Sequence, residues 1–175
     1  MLVLNMESKF SPRFVIRDFF KFHSHEKFKI IGFPLIISCI LIYFVNINME
    51  LINILLVALS IFIGFLLNLM LLSFNLKDSD AKPTEVNRIN WNIENFLIEY
   101  HVTISFEILI TVLLVIILLL ASLLHESLLT LPIILLYWIK ILFNFTIIFL
   151  ISIFFLIIFR VLKFGYVLVK YHLEN

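Results

Sequence analysis

Residues 51–74, LINILLVALSIFIGFLLNLMLLSF, form a run of 24 residues with no charged side chain. Coiled as an α-helix at about 1.5 Å per residue, the run reaches ~36 Å and crosses a hydrocarbon layer ~30 Å thick with some tilt. A short polar turn at 46–50 precedes it, and before that turn lies a second apolar run, 30–45, so the two predict a transmembrane hairpin. The rest of the chain has the same character. Hydrophobic residues are 63% of the 175 and charged residues 14%, with twenty Phe, against about 45–50% and about 25% in a soluble domain. A chain of this size cannot hide so much apolar surface from water, and lipid is the solvent that suits it.

Beyond residue 74 the only long internal polar stretch is 75–99, which reads as a turn around Pro83 followed by an amphipathic helix over 87–99 bearing Trp91 and Phe96. A third span is expected over 100–124. After His125 comes a long apolar stretch interrupted by Lys140. One helix through all of it would put a lysine within an apolar run, which is costly in hydrocarbon. The expectation is therefore a break at Lys140, with 128–138 as an interfacial segment carrying Pro132, Tyr137 and Trp138 and 141–159 as the fourth span. Residues 1–29 form a basic N-terminal segment, 100–159 a second hairpin, and 160–175 a tail.

Cations set the orientation, because Lys and Arg near span ends resist translocation. The N-terminal segment carries Lys9, Arg13, Arg17, Lys21, Lys27 and Lys29, the 75–99 loop Lys77, Lys82 and Arg88, and the tail Arg160, Lys163 and Lys170; the opposite side has Lys140 alone. The fold class is thus all-α, a polytopic membrane protein with four spans, both termini in the cytoplasm and short amphipathic interfacial helices. The N-terminal segment opens a helix at Pro12 that ends near residue 22, where Phe10, Phe14, Phe19, Phe20 and Phe22 stand among cations. Arg13, Arg17, Lys21, Lys27 and Lys29 are its candidate membrane-surface residues, suited to an anionic lipid face. The same pattern also fits a basic tail that serves topology only.

Several polar residues lie inside the spans. Asn53, Ser60, Gly64 and Asn68 share one stripe of the second span at ~100° per residue, a helix-packing face within one subunit or between subunits, with a solute path as the sharper alternative. Thr103, Glu107 and Thr111 share one side of the third, and Glu107 is the only acidic residue embedded in a span. Rise per residue puts Glu107 and Asn68 at matching depth, ~9–10 Å below the interface. The expectation is that Glu107 bonds Asn68 or reaches Arg160, since an unpaired carboxylate there is destabilising; a proton- or voltage-sensitive switch is the alternative.

Motifs for catalysis are absent. The sequence has no phosphate-cradling Gly-rich loop, HExxH or GxSxG, and only three Gly, so no catalytic residue, and no enzyme, is expected. Cys39 is the single cysteine, which excludes an intrachain disulfide and leaves a thiol buried in the first span as the reading. His23 and His25 with Glu26 lack a second ligand pair for a metal, while His101, His125 and His172 are scattered. No metal and no cofactor is expected, and direct nucleic-acid recognition is not expected because the basic residues are already required for topology.

The run from Glu50 through Asn53, Ser60, Gly64 and Asn68 to Leu69, with the Tyr100-His101-Val102-Thr103-Ile104-Ser105-Phe106 entry to the third span, resembles small four-pass bacterial phage-defence membrane proteins. The likeness is greatest to the membrane subunit of the Kiwa defence system. It covers length, topology and these two stretches, rests on no catalytic motif, carries over no residue-level role, and leaves the segment after His125 unmatched. The resemblance implies a membrane sensor or scaffold that forms a homo-oligomer, taken as a tetramer. It also implies a separately encoded cytoplasmic DNA-binding effector docking on the N-terminal segment, 75–99 and the tail. A pore-forming effector of an abortive-infection system and a small transporter are the competing readings. Heavy use of Ile, Phe, Asn and Lys is what AT-rich coding produces, and the expected location is a bacterial inner (cytoplasmic) membrane, with membrane lipids as partners.

This topology makes a direct prediction. A fluorescent protein fused after Asn175 is expected to fluoresce and an alkaline phosphatase fused there to be inactive; the reverse pair of results would overturn the orientation.

Overall fold

The computed structural model describes residues 11–79, 89–128 and 132–174. Five α-helices are described: α1 (Pro12–Phe22), α2 (Lys27–Leu41), α3 (Met49–Ser79), α4 (Ile89–Leu128) and α5 (Ile133–Glu174), with one 3-10 turn, Ser24–Glu26, between α1 and α2. No strand occurs among the described residues. Pro12 stands in the first turn of α1 and Pro132 immediately before α5. A missing N–H costs little at either place, so both prolines start helices rather than break them.

The long helices follow from sequence. Uninterrupted Leu, Ile and Phe keep every backbone hydrogen bond inside its own segment, which is what a lipid environment demands. Three stretches are long and apolar enough to cross a membrane: Met49–Leu72, Phe96–Leu124 and Ile134–Val167. Helix α4 is central, packing against α1, α3 and α5, while α2 packs on α5. On α3 the inward residues are Ile52, Leu59 and Leu66; on α4 they are Tyr100, Ile104, Leu114 and Leu118; on α5, Ile147, Phe154, Ile157 and Val161. Outward positions are just as apolar, with Val57, Ile61, Leu123, Leu142 and Phe159 all exposed on the bundle surface. Such a surface is stable only where the surroundings are apolar too.

The structure departs from the sequence expectations at five places. No break occurs at Lys140, because α5 runs through it without interruption, and 128–138 and 141–159 are therefore not separate helices among the described residues. The lysine side chain is exposed on the helix surface next to Tyr137 and Trp138, so its long stem can carry the charge outward and no break is needed to spare it burial. The amphipathic helix of 87–99 is not separate either; from Ile89 it is the opening of α4. The tail from Arg160 continues α5 to Glu174 rather than leaving it. Finally, α2 is only 15 residues long, with Pro34 in its middle, and 42–48 that follow are turn and irregular chain. Cys39 on α2 is exposed on the surface of the bundle rather than buried in it.

Continuity through Lys140 can be tested with Ile141→Pro. In an unbroken helix this removes the bond to the Tyr137 carbonyl and costs about 3 kcal/mol or more, which an unfolding titration in detergent would detect. At a helix start the same proline would be nearly neutral, and a neutral result would restore the break.

Candidate functional site

The amphipathic pattern of α1 has a consequence beyond lipid contact. Arg13, Arg17 and Lys21 are exposed along one face, and Lys27 and Lys29 follow on the first turns of α2, also exposed. The opposite face of α1 is buried against α4. Phe19 is 0% exposed and its ring lies parallel to that of Phe106, centroids 3.9 Å apart and 3° from coplanar, while Phe20 meets Phe106 edge-on at 6.0 Å. The Arg17 guanidinium caps the Phe14 ring at 4.6 Å, and its exposed pair with Asp18 adds little stability. Phe10 lies outside the described residues.

From the end of α1 the chain turns into α2, and this turn is tied to two other helices. His23 is 4% exposed. Its Nδ1 lies 3.0 Å from the Phe19 carbonyl, an acceptor, so Nδ1 carries the proton in the neutral ring. Nε2 faces Glu99 Oε1 on α4 at 3.3 Å, a close approach without hydrogen-bond alignment. Three residues on, the Glu26 carboxylate pairs with the Arg160 guanidinium of α5. The pair is partly exposed, so breaking it lies between the ~1 kcal/mol of a surface pair and the ~3–5 kcal/mol of a buried one. Arg160 Nη1 has no hydrogen-bond partner of its own. The ring stack, the His23 contacts and the Glu26–Arg160 ion pair together latch the N-terminal helix onto one end of the bundle.

Below the latch lies the polar face of α4. Thr103, Glu107 and Thr111 are all fully buried, on the single face that their spacing predicts. The two hydroxyls are satisfied within the helix, Thr103 donating to the Glu99 carbonyl and Thr111 to the Glu107 carbonyl, each at 2.7 Å. Ser38 and Ser60 do the same on α2 and α3, a common way to hide a hydroxyl from lipid. Glu107 differs. It is 0% exposed, and neither carboxylate oxygen has a hydrogen-bond partner.

The expected partners of Glu107 are therefore both corrected. Arg160 is engaged by Glu26, and Asn68 is exposed on the outer surface of α3. Matching depth did not bring Asn68 and Glu107 together because α3 turns Ile52, Leu59 and Leu66 inward, and Asn68 lies two residues, ~200° around the helix, beyond Leu66. Asn53 and Ser60 are exposed likewise, and a Cβ added at Gly64 would meet nothing within 4 Å. Within one chain, then, the small-polar stripe is not a packing face. Sequence reasoning passed over His23, Glu26 and Glu99 as a joined group, although depth held the signal: opposite charges at 26, 99 and 160 all flank apolar runs at one predicted interface. No group of three or more His, Cys, Asp or Glu that could hold a metal occurs among the described residues.

No protein-family model matches the chain, and neither a curated protein nor a solved structure matches it.

The latch has a predictable pH response. Burial holds the His23 imidazole below its ordinary 6.5; the Phe19 carbonyl works against this, the Arg160 charge with it and Glu99 against it, with a net downward shift. Above 6.5 the ring is neutral whether α1 is docked or free. As pH falls through 6.5 the freed form takes up a proton that the docked form resists, so docking weakens until the depressed value is reached. Hydrogen exchange of the α1 amides, corrected for intrinsic rates, is expected to be faster at about pH 5.5 than at about pH 7.5. His23→Leu should flatten this difference; a difference that survives the substitution would remove His23 from the account.

Proposed function

We propose that the chain is a non-enzymatic membrane sensor or scaffold whose buried α4 face is coupled to a latched N-terminal helix. The observation that carries this reading is Glu107. A carboxyl group buried with neither oxygen partnered costs stability, and features that cost stability concentrate where function needs them. Phe106, its neighbour in sequence, is the residue on which Phe19 of α1 stacks. A change at Glu107 that turned or shifted α4 would therefore move the platform that holds α1, and a packed interface of this kind converts small shifts into release or docking. The surface so altered carries Arg13, Arg17 and Lys21, and a cytoplasmic effector or an anionic lipid face would read it.

The four-pass topology, both ends cytoplasmic, belongs to this proposal. Twenty residues of α5 separate Lys140 from Arg160, or ~30 Å, the thickness of a hydrocarbon core. Helix α2 begins beside the Glu26–Arg160 pair and its following connector reaches Asn46, which lines one cavity with Asn144. This supports reading α2 and its connector as the remaining crossing, with Tyr43 and Phe44 at the far interface. The bacterial inner membrane as location, the phage-defence setting, the homo-oligomer and the DNA-binding effector rest on the sequence resemblance. The exposed Asn53, Ser60, Gly64 and Asn68 stripe suits contact between copies. It also favours the second reading, a pore-forming effector, if copies assemble with that stripe around a water path.

Replacement by Leu separates a structural from a signalling Glu107. The Glu107→Leu substitution removes the unpartnered carboxyl group at similar volume, and the bundle is expected to gain about 1–3 kcal/mol while protection of cells against phage, in the presence of the neighbouring genes, is lost. A variant that is stabilised and still protective would defeat the signalling role. Depolarisation of uninfected cells by the wild-type chain alone, read with a potential-sensitive dye, would favour the pore.

A further inference from the structure

The end of the bundle opposite the latch is built differently. There the α2–α3 connector, the start of α3, the last turns of α4 and the first turns of α5 stand apart around a cavity of about 430 Å³, within the ~300–1,000 Å³ of ligand sites. Its inner wall is apolar, with Ile52, Ala121, Phe143 and Ile147, and Ile52 and Ile147 are buried. Its mouth is polar, with Asn46, Lys140 and Asn144. Among the described residues no acidic side chain lines it, and Lys140 has no ion-pair partner.

The depth of this mouth is marked by aromatic residues. Tyr137 and Trp138, 62% and 64% exposed, precede Lys140 on α5, and the exposed Tyr43 and Phe44 precede Asn46. Tyr and Trp gather where headgroups meet hydrocarbon. The cavity therefore opens at headgroup level and runs inward along apolar walls.

We propose that this cavity binds an anionic phospholipid, the phosphate held by Lys140 with the Asn46 and Asn144 amides as donors and an acyl chain seated against Ile52, Phe143 and Ile147. Charge complementarity selects the anion, since among the described residues the one charged side chain lining the cavity is a cation, and no ion pair engages it. Amides donate well to phosphate oxygens, and a charge-assisted bond to the ammonium is the strongest of the set. The apolar wall selects a lipid over a water-soluble phosphate, because a free anion would leave that wall unfilled. Both features are needed, and both line the one cavity.

The test is lipid retention. Protein in nanodiscs of phosphatidylcholine doped with phosphatidylglycerol is extracted into mild detergent and its bound lipids are counted by native mass spectrometry. The wild type is expected to retain one phosphatidylglycerol in preference to phosphatidylcholine. Lys140→Gln should lower that retention by about tenfold or more, the size of one lost charge-assisted contact, and Ala121→Phe, which fills the wall, should lower it similarly. Lys163→Gln, at the other end of α5, should leave it unchanged. Inorganic phosphate should not displace the lipid; displacement would point to a soluble anion and overturn the proposal. Equal retention of the two lipids by the wild type would overturn it too, as would unchanged retention in Lys140→Gln. Size-exclusion elution shows whether each variant is folded, and if Ala121→Phe is not, the Lys140 comparison decides.

Discussion

Everything in this bundle is organised by the burial of α4. It is the helix that α1, α3 and α5 all touch, and Ile104, Glu107, Thr111, Leu114 and Leu118 on its inner face are fully buried. In lipid the hydrophobic effect does not drive helices together, because an exposed Leu is as well solvated by acyl chains as by another helix. What remains is close packing, and α4 supplies the face that makes it specific. Around it the bundle surface can be as apolar as its core, and it is: Ile61, Leu71, Leu123 and Phe159 point outward without penalty in that solvent.

The two ends of the bundle differ for a related reason. Where a helix bundle meets water, turns and charges need partners, and at the α1 end the partners come from other elements. The turn at 23–26 reaches α4 through His23 and Glu99 and α5 through Glu26 and Arg160. Because these contacts come from one short turn, they fix the entry of α2 as well as the exit of α1. The Phe19–Phe106 stack then holds the helix itself. Electrostatics here determines position more than it contributes stability, since the Glu26–Arg160 pair keeps access to solvent on both sides.

Much of this was legible in the sequence, and the limits of the reading are physical. Pro12 and the alternation of Phe with cations predict a helix ending near residue 22, and α1 is Pro12–Phe22. The helical character of the apolar runs followed from length and composition, and three of them stand as helices able to cross a membrane. Spacing placed Thr103, Glu107 and Thr111 on one face. What failed was the inference from depth to contact. Depth is one coordinate of a residue in a bundle and azimuth is the other; Asn68 shares the first with Glu107 and not the second. Ile52, Leu59 and Leu66 set the azimuth of α3 in the bundle, and in an all-apolar helix nothing in composition distinguishes an inward Leu from an outward one. The break expected at Lys140 failed for a different reason. A lysine in an apolar run reads as a boundary only if its charge must lie where its Cα lies, and a long side chain at an exposed position does not impose that.

The unequal helix lengths then have a common origin. Helix α2 has 15 residues, whereas α5 has 42, yet the two pack together, so α5 must project beyond its partner. At one end it does so past Arg160, where the projecting segment passes the entry of α4: Gly165 leaves room for the Tyr100 hydroxyl, 3.7 Å from where its Cβ would stand, and Phe164 meets Tyr100 and Phe96 edge-on. At the other end it projects before Asn144, past the end of α2, and the chain there is the irregular 45–48 connector rather than helix. A connector fills space less completely than a helix of the same length. The cavity beside Lys140 is therefore a geometric result of pairing a short α2 with a long α5, and the same mismatch leaves a cation and two amides at its rim.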